Sequence, residues 1–366
     1  MTFIVIKNNI MKTSYLNLFI IVLIFLGACS QDKPKTTGPV IVAYVTTRGD
    51  IPDPTYITHI NYAFGHVNED FNGIIINRPP RPNVNNQNNP NINNTPQMTS
   101  EDRLRAIVEL KKQKTSLKVL LSIGGWGSGG FSEMAGDINN RKAFVADCKR
   151  VVDEFKLDGI DLDWEYPTSS AARISSSPED KDNFTSLMRE IREILGKNKL
   201  LTFASASNAE YVDFKAVDPY LDFVNIMTYD IATPPYHHAG LYRSEHTRGL
   251  SVEESVDLHI AAGIAPNKLT LGMPFYGKGL QGINIHDLSN HPEYTEQWDD
   301  VAKAPYLTNE AGEFVFTYEN PRSIALKCEF ILNKGLLGAM YWQYGGDDSV
   351  GTYRKTVYDG VMKKTP

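Results

Sequence analysis

Residues 158–167 read Asp-Gly-Ile-Asp-Leu-Asp-Trp-Glu-Tyr-Pro, and apolar and acidic side chains alternate through this stretch. One series consists of Ile160, Leu162 and Trp164, and the other of Asp161, Asp163 and Glu165. Because successive side chains of a β-strand point to opposite faces, the pattern predicts a strand with one apolar face and one face of three carboxyl groups. Carboxylates lined up in a partly buried place repel one another, which raises the pKa of at least one of them. A protonated acid beside an ionised one is typical of an active site.

Two other interpretations of this strand are a solvated acidic edge strand and a site for a divalent metal ion. An exposed edge strand does not need Ile, Leu and Trp in strict order on its opposite face. A calcium-binding loop needs Gly and Asn at set spacings on a turn, a pattern that this stretch lacks. We therefore expect catalytic carboxyl groups and no metal ion.

The composition is that of a large folded domain, since 42% of the 366 residues are hydrophobic. Length alone suggests about two domains, but α/β barrels reach this size as one unit. The net charge is −6 and no long basic cluster is present, so nucleic acid is not an expected partner.

Eight strand-like runs recur along the chain, and helix-like stretches separate them. The runs are 40–45, 57–64, 118–123, 159–166, 200–206, 223–228, 268–274 and 337–343. Amphipathic stretches lie at 101–113, 141–155, 179–195, 321–333 and 352–363. This alternation predicts a parallel sheet closed into a (β/α)8 TIM barrel, with its active site at the carboxyl ends of the strands. Glu165 lies at that end of the fourth predicted strand.

Two connections in the predicted barrel, which spans residues 39–366, are long. Residues 73–99 are rich in Asn and Pro and form neither helix nor central strand. This loop follows the second strand and so emerges on the active face, where it either lines the substrate groove or acts as a spacer. Residues 278–320 follow the seventh strand and include a predicted hairpin around 309–316. We interpret them as a short insertion in the substrate wall rather than a separate domain.

The amino terminus has the pattern of an export signal. Basic residues precede an apolar run at 18–26, which is too short to span a bilayer. Leu-Gly-Ala-Cys at 26–29 resembles the bacterial lipobox, so we expect a signal peptide at 1–28, acylation of Cys29 and a polar tether at 29–38. The mature protein would then be a lipoprotein of the cell surface or periplasm, held at the membrane only by its lipid. A plain cleaved signal with secretion is the alternative.

Four further segments, taken with the acidic strand, carry a family resemblance. They are Ser-Ile-Gly-Gly-Trp at 122–126, Met-Thr-Tyr-Asp at 227–230, Gly-Met-Pro-Phe-Tyr-Gly at 272–277 and Met-Tyr-Trp-Gln at 340–343. Each lies at a predicted strand end, in the same order as in family 18 glycoside hydrolases. The chain therefore resembles this family, in its chitinase-like form, over about residues 39–366.

The resemblance implies a retaining, substrate-assisted mechanism, the exception to the scheme with two enzymatic carboxyl groups. Glu165 would protonate the glycosidic oxygen, and the 2-acetamido oxygen of the substrate would attack the anomeric carbon. Asp163 would hydrogen-bond the acetamido N–H, and Tyr229 would donate to the acetamido oxygen. Asp161 would share a proton with Asp163, whereas Asp158 is interpreted as structural. On a strand, Asp163 and Glu165 lie roughly 6–7 Å apart on one face, a spacing that lets both reach one sugar.

The resemblance also implies substrate-binding residues, no cofactor and a monomeric enzyme. Trp342 would be the floor under the sugar, and glycines at the third strand would allow a close approach to backbone. For Tyr44 and Phe64 a place in the barrel core is an equal alternative. The full expected set is Trp342, Gly124, Gly125, Met227, Asp230, Tyr276, Tyr44 and Phe64.

Three functions follow from the resemblance. The first is a chitinase that cleaves β-1,4 linkages of N-acetylglucosamine polymers or oligomers. The second is an endo-β-N-acetylglucosaminidase that acts on N-glycans with the same catalytic residues. The third is a chitin-binding or glycan-binding lectin, which the presence of both Asp163 and Glu165 disfavours. The short insertion predicts a shallower cleft than that of the larger chitinases.

If Cys29 is acylated, metabolic labelling with a fatty-acid analogue will label the wild-type protein and leave Cys29→Ala unlabelled. The lipid is attached to the cysteine that becomes the mature amino terminus, so removal of its thiol removes the attachment site. Label that survives in Cys29→Ala, or no label on the wild type, would contradict the lipoprotein prediction.

Overall fold

The computed structural model of the chain describes residues 38–76 and 98–363. The predicted signal peptide at 1–28, Cys29 and the tether up to residue 37 lie outside the described residues. So does the central part of the predicted Asn-rich and Pro-rich loop, residues 77–97.

The strands of the described part, in chain order, are β1 (Val40–Thr46), β2 (His59–Val67), β3 (Ile74–Ile75), β4 (Lys118–Gly124), β5 (Gly159–Asp163), β6 (Leu200–Ala206), β7 (Phe223–Met227), β8 (Leu269–Pro274), β9 (Thr295–Asp299), β10 (Ala304–Thr308), β11 (Phe314–Thr317) and β12 (Gly338–Trp342). All except β3 and β9 to β11 pair in parallel, in the order β1-β12-β8-β7-β6-β5-β4-β2. β1 pairs with both β12 and β2, which closes the ring. The predicted (β/α)8 barrel is confirmed.

The helices are α1 (Ser100–Glu109), α2 (Phe131–Gly136), α3 (Ile138–Glu154), α4 (Asp180–Leu195), α5 (Phe214–Val217), α6 (Val252–Ala262), α7 (Pro321–Lys334) and α8 (Thr352–Met362). Side chains that cap the first backbone amides explain where several of these helices begin. Asp137 accepts from the first amides of α3, and Ser251 with Glu254 forms a capping box at α6. Helix α6 was not among the predicted amphipathic stretches, although Ser251 three residues before Glu254 is the sequence signal for this capping box.

Strand β5 ends at Asp163, short of the predicted residue 166. Its ladder with β4 stops at the Gly124–Asp163 pair, and its ladder with β6 stops at Leu162. The alternation nevertheless continues, because Trp164 points outward and stacks on Phe131 at 5.3 Å. Glu165 therefore lies just beyond the strand end, on the cavity side.

The insertion after the seventh barrel strand, β8, is short and contains a three-stranded sheet, β11-β10-β9. The β10–β11 hairpin matches the predicted one, with its turn near Gly312, where φ is +79°. Residue 278 bridges to Thr317 at the end of β11, which ties the insertion back to the barrel mouth.

Cys148 on α3 and Cys328 on α7 are fully buried and do not form a disulfide. None of the helices in the described ranges has the length and apolarity needed to cross a membrane.

Candidate active site

A cavity of about 670 Å³ opens at the carboxyl ends of the barrel strands. It brings together nine of the predicted site residues: Tyr44, Phe64, Asp163, Glu165, Met227, Tyr229, Asp230, Tyr276 and Trp342. The other predicted residues, Asp161, Gly124, Gly125 and Asp158, lie outside its lining.

Asp161 lies below the cavity, inside the barrel, and is fully buried. Its two carboxylate oxygens accept four hydrogen bonds from side chains on four other strands. The donors are Tyr44 Oη at 2.8 Å, Ser122 Oγ at 2.8 Å, Thr202 Oγ1 at 2.5 Å and Asn225 Nδ2 at 3.2 Å. Burial raises the pKa of Asp161, and the four hydrogen bonds offset part of that rise. Four donors on two oxygens favour the ionised form.

Asp163, one step further along the same face, has a different environment. It is buried, and its Oδ1 has no hydrogen-bond partner. Burial raises its pKa well above the usual range, and the charges of Glu165 and Asp161 add to the rise. The pKa of Asp163 is raised well above its usual value, and Asp163 lacks the four donors of Asp161, so Asp163 is the member of this pair that holds a proton more readily.

Glu165 stands at the cavity wall above Asp163. Burial raises its pKa to about 7; the Tyr166 hydroxyl partly offsets this, and the charge of Asp230 adds to it. A glutamic acid that is protonated near neutral pH in a cavity is suited to general acid catalysis.

Trp342 forms the opposite side of the cavity. In the ring of eight strands, β12 and β5 are separated by three strands on either side, so Trp342 lies across the barrel from Glu165. Phe64 stacks on Trp342 at 5.5 Å and 18°, and Tyr44 contacts it at 5.8 Å. Phe64 and Tyr44 therefore support the tryptophan and line the cavity, and Tyr44 also bonds Asp161.

A polar wall, which we define as Asp230, Tyr276 and Lys278, faces the cavity from the segments that follow β7 and β8. Asp230 Oδ1 accepts from Tyr276 Oη at 2.6 Å and lies 2.9 Å from Lys278 Nζ. Burial raises the pKa of Asp230, but the neighbouring His238, Tyr276 and Lys278 outweigh it and lower the pKa to about 2. Asp230 is thus a permanent negative charge beside Glu165. Tyr229, behind this wall, packs edge-on against Tyr276 at 6.3 Å.

Gly124 and Gly125 make their close approach to protein rather than to the cavity. A Cβ on Gly124 would lie 2.0 Å from the carbonyl oxygen of Asp163, and one on Gly125 would lie 2.6 Å from the Phe64 ring. Both have positive φ, and Gly125 N–H donates to the Asp163 carbonyl at 2.8 Å. Their substrate-binding role stays a prediction, while their observed effect is to let β4 hold the backbone of Asp163.

Asp158 lies at the amino-terminal end of β5, away from the cavity. Its Oδ2 accepts from Lys111 Nζ at 2.7 Å and from the Val119 N–H at 2.9 Å. These bonds join the segment after α1 to β4 and β5, which agrees with a structural part for this residue.

An aromatic platform, which we define as Trp126, Tyr166 and Tyr211, lines the cavity beyond Glu165. Tyr166 stacks on Tyr211 at 4.8 Å and 7°, and Trp126, 63% exposed, lies edge-on to Tyr166 at 6.4 Å. Trp126 and Tyr166 fall in sequence motifs but were not predicted to have a site role, and no local pattern pointed to Tyr211 or Lys278. Three peptide bonds that do not precede proline are cis within the described ranges, at Ala63–Phe64, Glu165–Tyr166 and Trp342–Gln343.

Within residues 38–76 and 98–363, one cluster has metal-ligating side chains at suitable spacing: His286, Asp347 and Asp348. Both carboxylates already accept hydrogen bonds from backbone amides of α8. Asp347 accepts from the amides of Tyr353 and Arg354, and Asp348 accepts from the amide of Thr352. The cluster is explained as a cap of this helix.

Replacing Glu165 by Gln is expected to raise the free energy of unfolding relative to the wild type, and this gain should grow as the pH rises. A carboxyl group whose pKa rises from 4.5 to about 7 on folding contributes stability that is full below pH 4.5 and lost as the pH passes 7. The full loss corresponds to about 3 kcal/mol. Urea unfolding of both proteins at acidic and mildly alkaline pH measures the difference. Glu310→Gln, on an exposed turn, is the control; parallel behaviour of all three proteins would contradict the raised pKa.

Comparisons with known proteins agree with this geometry. Residues 40–347 match the sequence profile described as Glycosyl hydrolases family 18. The chain is 31% identical over 375 residues to Chitinase A1 of Niallia circulans, covering 81% of this chain and 53% of that protein. It spans between half and two thirds of the first curated relatives that it matches.

Two solved structures are similar along most of the chain. One is a glycoside hydrolase family 18 N-acetylglucosaminidase from Paenibacillus barengoltzii, at 33% identity and TM-score 0.74, covering 88% of this chain and 100% of that one. The other is chitinase ChiW from Paenibacillus sp. str. FPU-7, at 33% identity and TM-score 0.77, covering 90% and 43%. Given the profile match over most of its length, this chain belongs to glycosyl hydrolase family 18.

Proposed function

We propose that this chain is a chitinase-type glycoside hydrolase that cleaves β-1,4 linkages of N-acetylglucosamine polymers or oligomers with retention. The observation that carries the proposal is the pairing of Asp163 and Glu165, both with raised pKa, across the cavity from Trp342. Neutral acids at this place can donate a proton and a hydrogen bond before the reaction begins.

In the proposed reaction, Glu165 donates its proton to the glycosidic oxygen as that bond breaks. The acetamido oxygen of the substrate forms a new bond to the anomeric carbon. Water then attacks that carbon, the bond to the acetamido oxygen breaks, and Glu165 takes a proton from the water. Asp163 has an unpartnered Oδ1 for the acetamido N–H, and Tyr229 lies close by for the acetamido oxygen. Sharing of a proton between Asp161 and Asp163 stays a proposal, since both oxygens of Asp161 accept bonds from other side chains.

The two sides of Glu165 are suited to two different sugars. The sugar that reacts would rest on Trp342, and the leaving sugar would pass to the aromatic platform beyond Glu165. Stacking on aromatic rings suits the apolar faces of sugars, as it suits the faces of other rings. The polar wall beside Trp342 would hold the substituents of the reacting sugar.

Relatives support chitin or its oligomers over N-glycans as the substrate, because the first curated matches are named chitinases and endochitinases. One similar solved structure is an N-acetylglucosaminidase, and the similarity covers all of that chain. It favours a second mode of action, in which single N-acetylglucosamine units are released. The intact acid pair disfavours a lectin.

We further propose that the protein is exported and anchored as a monomeric lipoprotein through Cys29, with secretion as the alternative. The support is the sequence at 26–29, which lies outside the described residues.

Product analysis of residues 30–366 on N-acetylglucosamine oligomers and on a high-mannose glycopeptide tests the substrate. We expect short oligomers from the first substrate and no change in the second. Single N-acetylglucosamine units as the sole early product would instead indicate the second mode. A glycan released with one sugar left on the peptide would contradict the chitinase proposal.

Glu165→Gln is expected to abolish turnover, with a loss of at least about a hundredfold in kcat, because the general acid is removed. The fold and much of the oligomer binding should remain. Asp163→Asn should also be impaired, since orientation of the acetamido N–H is lost. In the wild type, kcat/KM should fall as the pH rises through 7, where Glu165 loses its proton. Glu310→Gln is the control, and a Glu165→Gln variant that kept most of its kcat would refute the assignment.

A further inference from the structure

A buried ion pair lies behind the polar wall of the cavity. Lys327 on α7 and Glu319, just before α7, form it with side chains that are 0% and 1% exposed. Glu319 also accepts from Ser323 Oγ at 2.6 Å. Two buried charges cost desolvation free energy that an apolar pair of equal size would not, so a gain in stability does not account for this pair.

A hydrogen bond from Lys327 leads toward the cavity. Its Nζ donates to the carbonyl oxygen of Ala239 at 2.6 Å, and Ala239 follows His238 in the segment between β7 and α6. The backbone of His238 is held on both sides as well. Its N–H lies 3.4 Å from Thr317 Oγ1, and its carbonyl accepts from the Ile231 N–H at 3.1 Å. An apolar pair would leave the Ala239 carbonyl without this donor.

The ring of His238 touches two members of the polar wall. It is fully buried and lies edge-on to the Tyr276 ring at 5.5 Å. Its Nδ1 lies 3.6 Å from Asp230 Oδ1, the oxygen that also accepts from Tyr276. Both Tyr276 and Asp230 line the cavity with Glu165. A shift of Ala239 and His238 would therefore move the wall beside the general acid.

We propose that Glu319 and Lys327 are positioning residues for the reaction of this site: the pair fixes Ala239 and so holds His238 against Tyr276 and Asp230. The inference rests on the proposed hydrolase function. The ion pair lies outside the barrel strands. It positions the hydrogen-bonded polar wall and does not contact a reacting atom.

The test is a double variant, Glu319→Gln with Lys327→Met, which removes both charges at nearly constant volume. The introduced amide keeps an acceptor for Ser323, while the introduced thioether has no donor for Ala239. On the N-acetylglucosamine tetramer we expect kcat to fall between about tenfold and about a hundredfold, the effect of a small misplacement near reacting groups. KM should change much less than kcat, because Trp342 and the aromatic platform are untouched. A crystal structure of the variant should show a longer His238 Nδ1 to Asp230 Oδ1 distance.

The matched control is Arg192→Met with Asp222→Asn. This ion pair is also mostly buried, at 13% and 15% exposure, but it lies near the amino-terminal end of β7. The control double variant should have a lower Tm than the wild type and an unchanged kcat. A folded double variant of Glu319 and Lys327 with wild-type kcat, or with an unchanged distance from His238 to Asp230, would overturn the proposal. The distance decides the proposal even if the wild type is inactive on the tetramer, a result that would count against the proposed function alone.

His238→Phe gives a second test if the double variant does not fold. Phenylalanine keeps an aromatic ring against Tyr276 and removes the nitrogen that faces Asp230. We expect the same fall in kcat with little change in KM and Tm, and wild-type kcat in this variant would overturn the proposal.

Discussion

The carboxylate of Asp161 places a charge at the centre of the barrel, where water does not reach it. Ionised groups persist in such places when hydrogen bonds replace their hydration. Here the donors come from β1, β4, β6 and β7, so the charge is held from several sides of the ring. Thr270 on β8 adds a further link, because its Oγ1 lies 2.8 Å from Asn225 Oδ1 and orients that amide toward Asp161. The barrel interior is thereby built around one anion.

Burial, more than this anion, sets the state of the two carboxyl groups above it. Asp163 follows on the same face with no donor on Oδ1, and Glu165 follows with Asp230 as its charged neighbour. Three adjacent carboxyl groups in a medium of low polarity cannot all ionise. Protons are therefore retained at the two outer positions, where the cavity gives a substrate access to them. The unpartnered oxygen of Asp163 is costly in a folded protein, and functional sites are where such costs concentrate.

Local patterns in the sequence were sufficient to predict the barrel and the acidic face of β5. The alternation at 159–165 predicted which side chains point inward, and the outward packing of Trp164 on Phe131 agrees. The end of β5 depends on its ladders with β4 and β6, which are long-range pairings, so the predicted strand was too long. The Tyr166–Tyr211 stack likewise joins two loops after different strands and has no local signal.

The ion pair behind the polar wall did have a signal in the sequence. Lys327 falls on the apolar stripe of α7, three residues after Ile324 and four before Ile331, where a helix faces its core. A charged residue at such a position needs a buried partner, but the sequence does not say which of several acids supplies it. Glu319 lies before the helix begins, so helical spacing does not identify it.

The cavity has two sides of different physical character, and in the proposed reaction each side recognises a different part of the substrate. The polar wall consists of directional hydrogen bonds and an ion pair, which discriminate between substituents because a missing partner leaves a buried group unpaired. The aromatic platform offers ring faces, which bind many sugars with little preference for their substituents. In the proposed reaction, recognition of the acetamido group would therefore belong to Asp163 and the polar wall. The length of substrate that is accepted would depend on the platform and on the short insertion, so that under the proposed function substrate size could change without change at Glu165.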